Sequence, residues 1–131
     1  KFALTETTLG IPPAQIAPFV AQRIGLAKAR RIMLTAARFT GKEAFEMGLA
    51  DFIAKDANDL KNIESDIIKG VMNCAPGANA ITKEIVLATR HLERSEMIDF
   101  AAKGFAERML SDEGREGIAS FIEKRKPKWS K

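Results

Sequence analysis

The sequence has very few of the residues that mark a metal or redox site. Among its 131 residues there is one cysteine, Cys74, and one histidine, His91, with no CxxC or HExxH spacing. A single thiol cannot close an internal disulfide, and these spacings contain no recognisable metal site. We therefore expect no metal, a filler role for Cys74, a surface position for His91, and a reducing, cytoplasm-like compartment.

Long apolar runs and glycine-rich phosphate loops are missing as well. No apolar stretch approaches the ~20 residues that a membrane span requires, and the opening residues lack the pattern of a signal peptide. Neither common spacing of a phosphate-binding glycine loop occurs, and there is no GxSxG nucleophile elbow. We therefore expect no membrane association and none of the chemistry that these motifs carry.

Excess positive charge is confined to one end of the chain. The formal net charge is +4, and the last eleven residues, FIEKRKPKWSK, carry five Lys or Arg against one Glu. The other 120 residues hold 16 basic and 16 acidic side chains. A neutral body does not suit a phosphate backbone, so the sequence predicts a basic tail and no nucleic-acid partner.

The composition that remains is typical of about one globular domain. Apolar residues make up 46% of the chain, which is enough for a modest core. The chain starts without Met, directly in strand-like sequence that would need neighbours on both sides. We therefore expect a fragment of a longer chain.

Glu6 is the first candidate for chemistry. If residues 2–10, FALTETTLG, form an extended run, Glu6 lies on the same side as Phe2 and Leu4, because strand side chains alternate between faces. A carboxylate beside apolar neighbours either lies at the rim of a sheet and reaches solvent or is held there for a function. The residues alone leave both interpretations open.

The first half of the chain is predicted to mix helices with short strands. Apolar spacing predicts a helix over 11–25 that ends at Gly25, followed by a second helix over 26–39. Thr40 and Glu43 have capping-box spacing, and Gly48 is a natural stop for the helix they begin. Residues 49–56, LADFIAKD, then resemble a short strand.

The second half is predicted to be helical throughout. The apolar periodicity indicates four helices, with Ser111 as the N-cap of the last, over 59–73, 79–92, 95–110 and 111–126. Their apolar stripes exceed what so short a region can cover internally. This excess indicates a partner surface in the same fold, in another subunit, or in both.

Three segments together resemble the crotonase (enoyl-CoA hydratase/isomerase) superfamily. FALTETTLGIPP is similar to the segment after the family's glycine-rich oxyanion loop, and FTGKEAFEMGLAD is similar to its "tGxxAxxxGLv" helix and strand. SDEGREGIASFIEKRKPKW resembles its C-terminal signature, in which an acidic, then Arg-Glu-Gly run leads to a Phe and a Lys-rich end. The segments stand in the family's order and span almost the entire chain.

The resemblance implies an α/β fold and a division of the chain. Residues 1–57 would form the C-terminal part of a crotonase-type ββα superhelix, and residues 58–131 a helical region for trimerisation and CoA contact. The chain would be the C-terminal half of a subunit roughly twice as long, in a homotrimer or a dimer of trimers. The N-terminal half of the same subunit would then be its first partner.

The resemblance also implies an activity. Glu6 matches the family's second catalytic glutamate, whereas no residue matches the first glutamate or the two oxyanion-hole N–H donors. The implied reaction is syn addition of water to an α,β-unsaturated acyl-CoA in fatty-acid, branched-chain or terpenoid acid catabolism, and an isomerase is the nearest alternative. CoA is part of the substrate, so no separate cofactor is expected, and this chain alone should be inactive.

The basic tail has competing interpretations. Phe121 and Lys124 match family positions that approach the CoA nucleotide, often that of a neighbouring subunit. Without the resemblance, the tail is a solvated helix end, or a nucleic-acid-binding or import segment on a non-catalytic helical oligomerisation module. The stretch IPPAQIAPFV lacks the family's common Gly-rich continuation and is closer to the branch acting on methylglutaconyl-type and isohexenylglutaconyl-type CoA esters.

Overall fold

The structure is a computed structural model that describes residues 1–130. It divides into two compact units, the first spanning Lys1–Ile63 and the second beginning at Glu64. The elements of the first unit are, in chain order, β1 (Phe2–Ala3), a 3₁₀ helix (Glu6–Leu9), α1 (Ala17–Leu34), β2 (Arg38–Phe39) and α2 (Gly41–Met47). Helix α3 (Ala57–Met72) crosses the boundary between the units in sequence, and α4 (Pro76–Ala88), α5 (Arg94–Leu110) and α6 (Asp112–Ile122) belong to the second.

The described sheet is small and antiparallel. Strand β1 pairs with β2 so that Phe2 lies opposite Phe39 and Ala3 opposite Arg38. The rings of Phe2 and Phe39 stack with centroids 5.6 Å apart, a favourable aromatic pair across the two strands. The sheet therefore joins the start of the chain to the segment between α1 and α2.

Helix α1 bends at Gly25, where the sequence predicts one helix to end and another to start. Gly25 has φ 78° and ψ 160°, a conformation open almost only to glycine. Pro18 lies in the first turn of α1, where a missing N–H leaves no helical hydrogen bond broken. The predicted boundary at Gly25 is confirmed as a kink in the helix, which ends at Leu34 rather than at residue 39.

The core of the first unit forms around α1. Helix α2 packs on this core through Ala44. It begins in a capping box, in which Thr40 accepts the Glu43 N–H at 3.2 Å and Glu43 accepts the Thr40 N–H at 2.7 Å. Gly48, with φ 82°, ends α2 in the left-handed conformation, so both predicted ends of this helix are confirmed. The buried core residues are Val20, Ile24, Ala29, Ile32, Met33, Phe39 and Ala44.

Two strand predictions in the first unit are wrong. Residues 2–10 are extended only at Phe2–Ala3, because the Thr8 hydroxyl donates to the Thr5 carbonyl and left-handed Gly10 closes a 3₁₀ turn instead. Residues 49–56 form no strand. There Asp56 accepts the N–H groups of residues 58 and 59 at 2.8 and 2.9 Å and so begins helix α3.

The four helices predicted for the second half are confirmed as α3 to α6, although α6 ends at Ile122 rather than at residue 126. Gly104, buried in α5, faces α4 closely enough that a β-carbon there would meet Ile81 at 2.9 Å. Ser111 caps α6 by accepting the Gly114 N–H at 3.1 Å, as its position predicts. Gly114 has no room for a side chain, since a β-carbon would collide with the Arg108 carbonyl oxygen.

Much of the apolar surface of helices α3 to α6 is uncovered. Helix α3 buries no residue at all, and its apolar side chains face outward although it is strongly amphipathic. Large apolar residues of α4 to α6 are exposed too, among them Val86, Ile98, Phe105, Leu110, Phe121 and Ile122. These open faces agree with the excess of apolar stripe in the sequence. Separately, no helix within residues 1–130 is both long and apolar enough to cross a bilayer.

Candidate functional site

Glu6 is the first residue of the 3₁₀ helix and is half-buried. Its Oε2 atom is shielded from solvent and has no hydrogen-bond partner within the described chain. A buried acceptor without a donor costs roughly 1–3 kcal/mol, and more when it is charged. An oxygen in this state is suited to receive a proton or a polar group of a ligand.

The turn that carries Glu6 is fixed to the core of the first unit. The Thr7 hydroxyl donates to the Met33 carbonyl at 2.9 Å, near the end of α1. The N–H of Ile11 donates to the Glu6 carbonyl at 3.3 Å, and Leu4 packs on the core just before the turn. The backbone of Glu6 is therefore held on both sides.

Glu6 does not lie on a strand, so its surroundings do not come from strand alternation. The prediction that it shares a strand face with Phe2 and Leu4 is wrong, because residue 6 begins a turn. The sequence signal for this turn is the run of threonines that ends at Gly10, since threonine hydroxyls and a left-handed glycine favour turns over strands.

Phe121 and Lys124 lie on the same turn at the end of α6, in the second unit, whereas Glu6 lies in the first. Phe121 is 83% exposed. The Lys124 N–H donates to the Phe121 carbonyl at 3.3 Å, and the Arg125 N–H donates to the Ser120 carbonyl at 3.0 Å. These two bonds form a Schellman motif in which Lys124, with φ 53°, occupies the left-handed position that usually holds glycine.

The tail beyond Lys124 is fastened by an ion pair that the sequence did not reveal. The two terminal guanidinium nitrogens of Arg125 donate to Glu116, Nη1 at 2.6 Å to Oε1 and Nη2 at 3.1 Å to Oε2. Arg125 Nε also donates to Glu123 at 2.5 Å. The backbone N–H of Lys128 donates to Glu116 at 3.0 Å. Glu116 therefore receives donors from two points of the tail.

The electrostatics of this pair follow from its geometry. Hydrogen bonds from Arg125 lower the pKa of the Glu116 carboxyl from 4.5 to about 2, although burial opposes the shift. In turn, hydrogen bonds to Glu116 and then to Glu123 raise the pKa of the Arg125 guanidinium. Fork-to-fork pairs of this kind are among the stronger charge-assisted contacts in proteins.

The end of the tail folds back on the junction between α3 and α4. Trp129, the only tryptophan in the sequence, donates from Nε1 to the Asn73 carbonyl at 3.3 Å. The Ser130 hydroxyl donates to the Asn73 side chain at 2.8 Å. The indole packs over Gly117, where a β-carbon would come within 3.3 Å of the ring. The basic tail is thus a docked segment over its described length.

Two cavities of similar size occur away from these residues. One in the first unit, about 270 Å³, is lined by charged and apolar groups, among them Arg31, Arg38 and Glu43. One in the second unit, about 280 Å³ and mainly apolar, is lined by residues of α4 and α5, among them Ile85 and Phe105. Across residues 1–130, no cluster of three His, Cys, Asp or Glu side chains could hold a metal ion.

The whole chain matches a known protein family. Residues 1–131 match the family model described as Enoyl-CoA hydratase/isomerase. A peroxisomal Delta(3,5)-Delta(2,4)-dienoyl-CoA isomerase from Arabidopsis thaliana is 31% identical over 108 residues, which are 82% of this chain and 39% of that protein. The enoyl-CoA hydratase ACTT6 from Alternaria alternata is 30% identical over 122 residues, 92% of this chain and 40% of that protein.

A solved structure superimposes closely. Pseudomonas aeruginosa AtuE matches with a TM-score of 0.96 and 49% identity over 99% of this chain and 50% of that chain. The chain therefore spans about two fifths to one half of the length of these relatives.

Proposed function

Because the chain belongs to the enoyl-CoA hydratase/isomerase family and has the crotonase fold, we propose that it forms part of an enoyl-CoA hydratase. The reaction adds water across the α,β double bond of an acyl-CoA thioester: the hydroxyl oxygen bonds to the β-carbon and a proton to the α-carbon. Negative charge develops on the thioester oxygen along the way, and preorganised N–H donors can stabilise it by several kcal/mol.

We place Glu6 in this reaction as the group that holds and moves the proton of the α-carbon. The observation that supports this role is the shielded, unpartnered Oε2 atom of Glu6 on a turn fixed by Thr7. Positioned carboxyl groups contribute roughly 10²–10⁴-fold to proton transfer. The first catalytic glutamate and the oxyanion N–H donors would come from the N-terminal half of the same subunit, and without that half the chain would be inactive.

Phe121 and Lys124 would contact the nucleotide of CoA. The exposed ring of Phe121 can cover an aromatic base, and the Lys124 ammonium can pair with phosphate. No carboxylate of the described chain lies within ion-pair distance of Lys124. Its charge is therefore available for a ligand.

The open apolar faces support an assembly. Residues 1–57 would complete the crotonase core with the N-terminal half, and residues 58–131 would mediate trimerisation, as a trimer or a dimer of trimers. Helix α3, which buries none of its residues, is the main support for this division. The pattern of residues 11–20 favours the family branch that acts on methylglutaconyl-type and isohexenylglutaconyl-type CoA esters.

The test is Glu6→Gln in the complete subunit. We expect hydratase turnover to fall by about 10²–10⁴-fold with little change in KM, because the proton carrier is lost and the shape is kept. Glu46→Gln, which removes an exposed carboxylate of α2 in the same unit, is the matched control. Near-normal turnover of Glu6→Gln would contradict the assignment.

An isomerase is the second candidate, favoured by the name of the Arabidopsis thaliana relative. Supplying a 2-enoyl-CoA and a 3-enoyl-CoA in separate assays distinguishes the two, since a hydratase yields a hydroxyacyl product and an isomerase shifts the double bond. A nucleic-acid-binding tail is less well supported, because Arg125 and Lys128 already pair with Glu116. Salt-dependent retention on duplex DNA, compared with retention on immobilised CoA, tests it.

A further inference from the structure

Lys124 occupies a backbone conformation that costs free energy. A residue with a β-carbon is less stable in the left-handed region than in the right-handed helix, which is why glycine usually takes this place in a Schellman motif. Lys124 nevertheless adopts φ 53° directly after the Glu123 cap of α6. Strain of this kind persists only where the surroundings fix the conformation.

The conformation of Lys124 is fixed by Glu116 and by the residues that donate hydrogen bonds to it. The Glu116 side chain is only 14% exposed, and it accepts hydrogen bonds from Nη1 and Nη2 of Arg125 and from the backbone N–H of Lys128. Lys124 lies between the last turn of α6 and Arg125. The chain is thus tied immediately after the strained residue and again four residues beyond it.

The basic side chains of the tail form two groups, those that pair with a carboxylate and those that do not. Arg125 and Lys128 lie within ion-pair distance of Glu116, whereas Lys124 and Lys126 have no such partner in the described chain. Both free lysines are exposed. The charges of Arg125 and Lys128, which anchor the tail, are thus neutralised. Those of Lys124 and Lys126 are available to bind an anion.

From this arrangement we infer that Glu116 and Arg125 are positioning residues: their ion pair holds Lys124 in its strained turn and so presents its ammonium to the phosphates of CoA. This inference rests on the proposed function, because it takes the CoA nucleotide as the ligand of Lys124. Affinity for the phosphates would then depend on Glu116, a carboxylate that does not contact them.

The test compares ligands with and without phosphates, using the complete subunit. We expect Glu116→Gln to weaken binding of CoA by about tenfold, the size of one lost charge-assisted contact, and to leave binding of pantetheine unchanged. Glu123→Gln is the matched control, since its side chain is 57% exposed and touches Arg125 through Nε alone. Calorimetric titration gives both affinities and needs no turnover, so a failed hydratase assay leaves this test intact.

Trp129 supplies a second readout. Release of the tail in Glu116→Gln should make its fluorescence more accessible to iodide, with Trp129→Phe identifying its share of the signal. Arg125→Lys, which keeps the charge and loses the fork, should reproduce the CoA-specific loss if Glu116→Gln does not fold. Three results would overturn the inference: unchanged CoA affinity in Glu116→Gln and Arg125→Lys, equal losses for CoA and pantetheine, or a CoA-specific loss in Glu116→Gln that Lys124→Ala does not share.

Discussion

The hydroxyl of Thr7 donates to the main-chain carbonyl of Met33 at 2.9 Å, across 26 residues of sequence. Carbonyls in the last turn of a helix lack the usual partner four residues on. The Met33 carbonyl accepts the Ala36 N–H at 3.4 Å, and the added bond from Thr7 fixes the turn that begins at Glu6. The proposed proton carrier and the end of α1 are therefore mechanically linked.

Replacing Thr7 with valine should separate this link from the chemistry. The shape is kept and the donor is lost, so we expect a loss of about 1 kcal/mol in the free energy of unfolding. Turnover should fall at least several-fold because small displacements of a catalytic group are costly. Denaturant unfolding and kcat of the complete subunit measure the two effects. Thr8→Val, which loses a bond within the turn itself, is the control. Reduced stability with unchanged kcat would show that Thr7 does not position Glu6.

The stability of the tail should depend on pH in the acid range. Because the pKa of Glu116 falls from 4.5 to about 2 on folding, the unfolded chain binds more protons between these values. The contribution of Glu116 is therefore fully present above about pH 4.5 and is lost as pH falls through about 2. We expect stability to rise with pH in this window.

Urea unfolding of the complete subunit at about pH 5 and about pH 2.5 measures this dependence. The native protein should lose more stability between the two values than Glu116→Gln, which has no carboxyl to protonate at that position. Parallel losses in both proteins would show that the pair with Arg125 contributes nothing to the acid response.

Lys124→Gly should weaken CoA binding and relieve backbone strain at this position. Glycine adopts the left-handed conformation without penalty, although its freedom in the unfolded chain offsets part of the gain. We therefore expect Lys124→Gly to be at least as stable as Lys124→Ala, which keeps the strained φ. Both variants should bind CoA about tenfold more weakly, since each lacks the ammonium group. Thermal unfolding and CoA titration decide the comparison, and native-like CoA affinity in either variant would remove Lys124 from the site.

Two glycine substitutions should have opposite effects. Gly114→Ala places a methyl group against the Arg108 carbonyl and should destabilise the protein by about 1–3 kcal/mol or prevent folding. Gly70→Ala lies within α3 with nothing within 4 Å, and should stabilise it by about 0.5–1 kcal/mol. Denaturant midpoints of the complete subunit report both. Equal destabilisation would indicate that Gly70 faces a neighbour outside this chain.

Local chemistry made the helices predictable. Thr40 with Glu43, and Ser111 before α6, satisfy backbone groups within a few residues, so their spacing alone indicates the helix starts. The strands were harder to predict. Strand β2 is two residues long and exists because Phe39 meets Phe2, a contact across 37 positions that no local pattern contains.

The candidate site residues rest on motif resemblance, and their roles stay predictions. The resemblance indicates Glu6, Phe121 and Lys124, whereas alternation along a strand gave the wrong backbone for Glu6. The pair between Glu116 and Arg125 escaped prediction because its partners are nine residues apart and lie on different segments. In sequence, the basic tail resembles an ordinary solvated helix end, and only the structure reveals that it folds back.

Helix α3 has a consequence for the fate of the protein in a cell. Its outward side chains include Leu60, Ile67, Ile68 and Val71, none of them covered within the described chain. Chaperones and proteases act on exposed apolar surfaces of this kind when no partner covers them. Substitutions on α3 would thus act first on abundance, by changing how quickly newly made polypeptide escapes quality control, and would leave the intrinsic rate of each assembled molecule untouched.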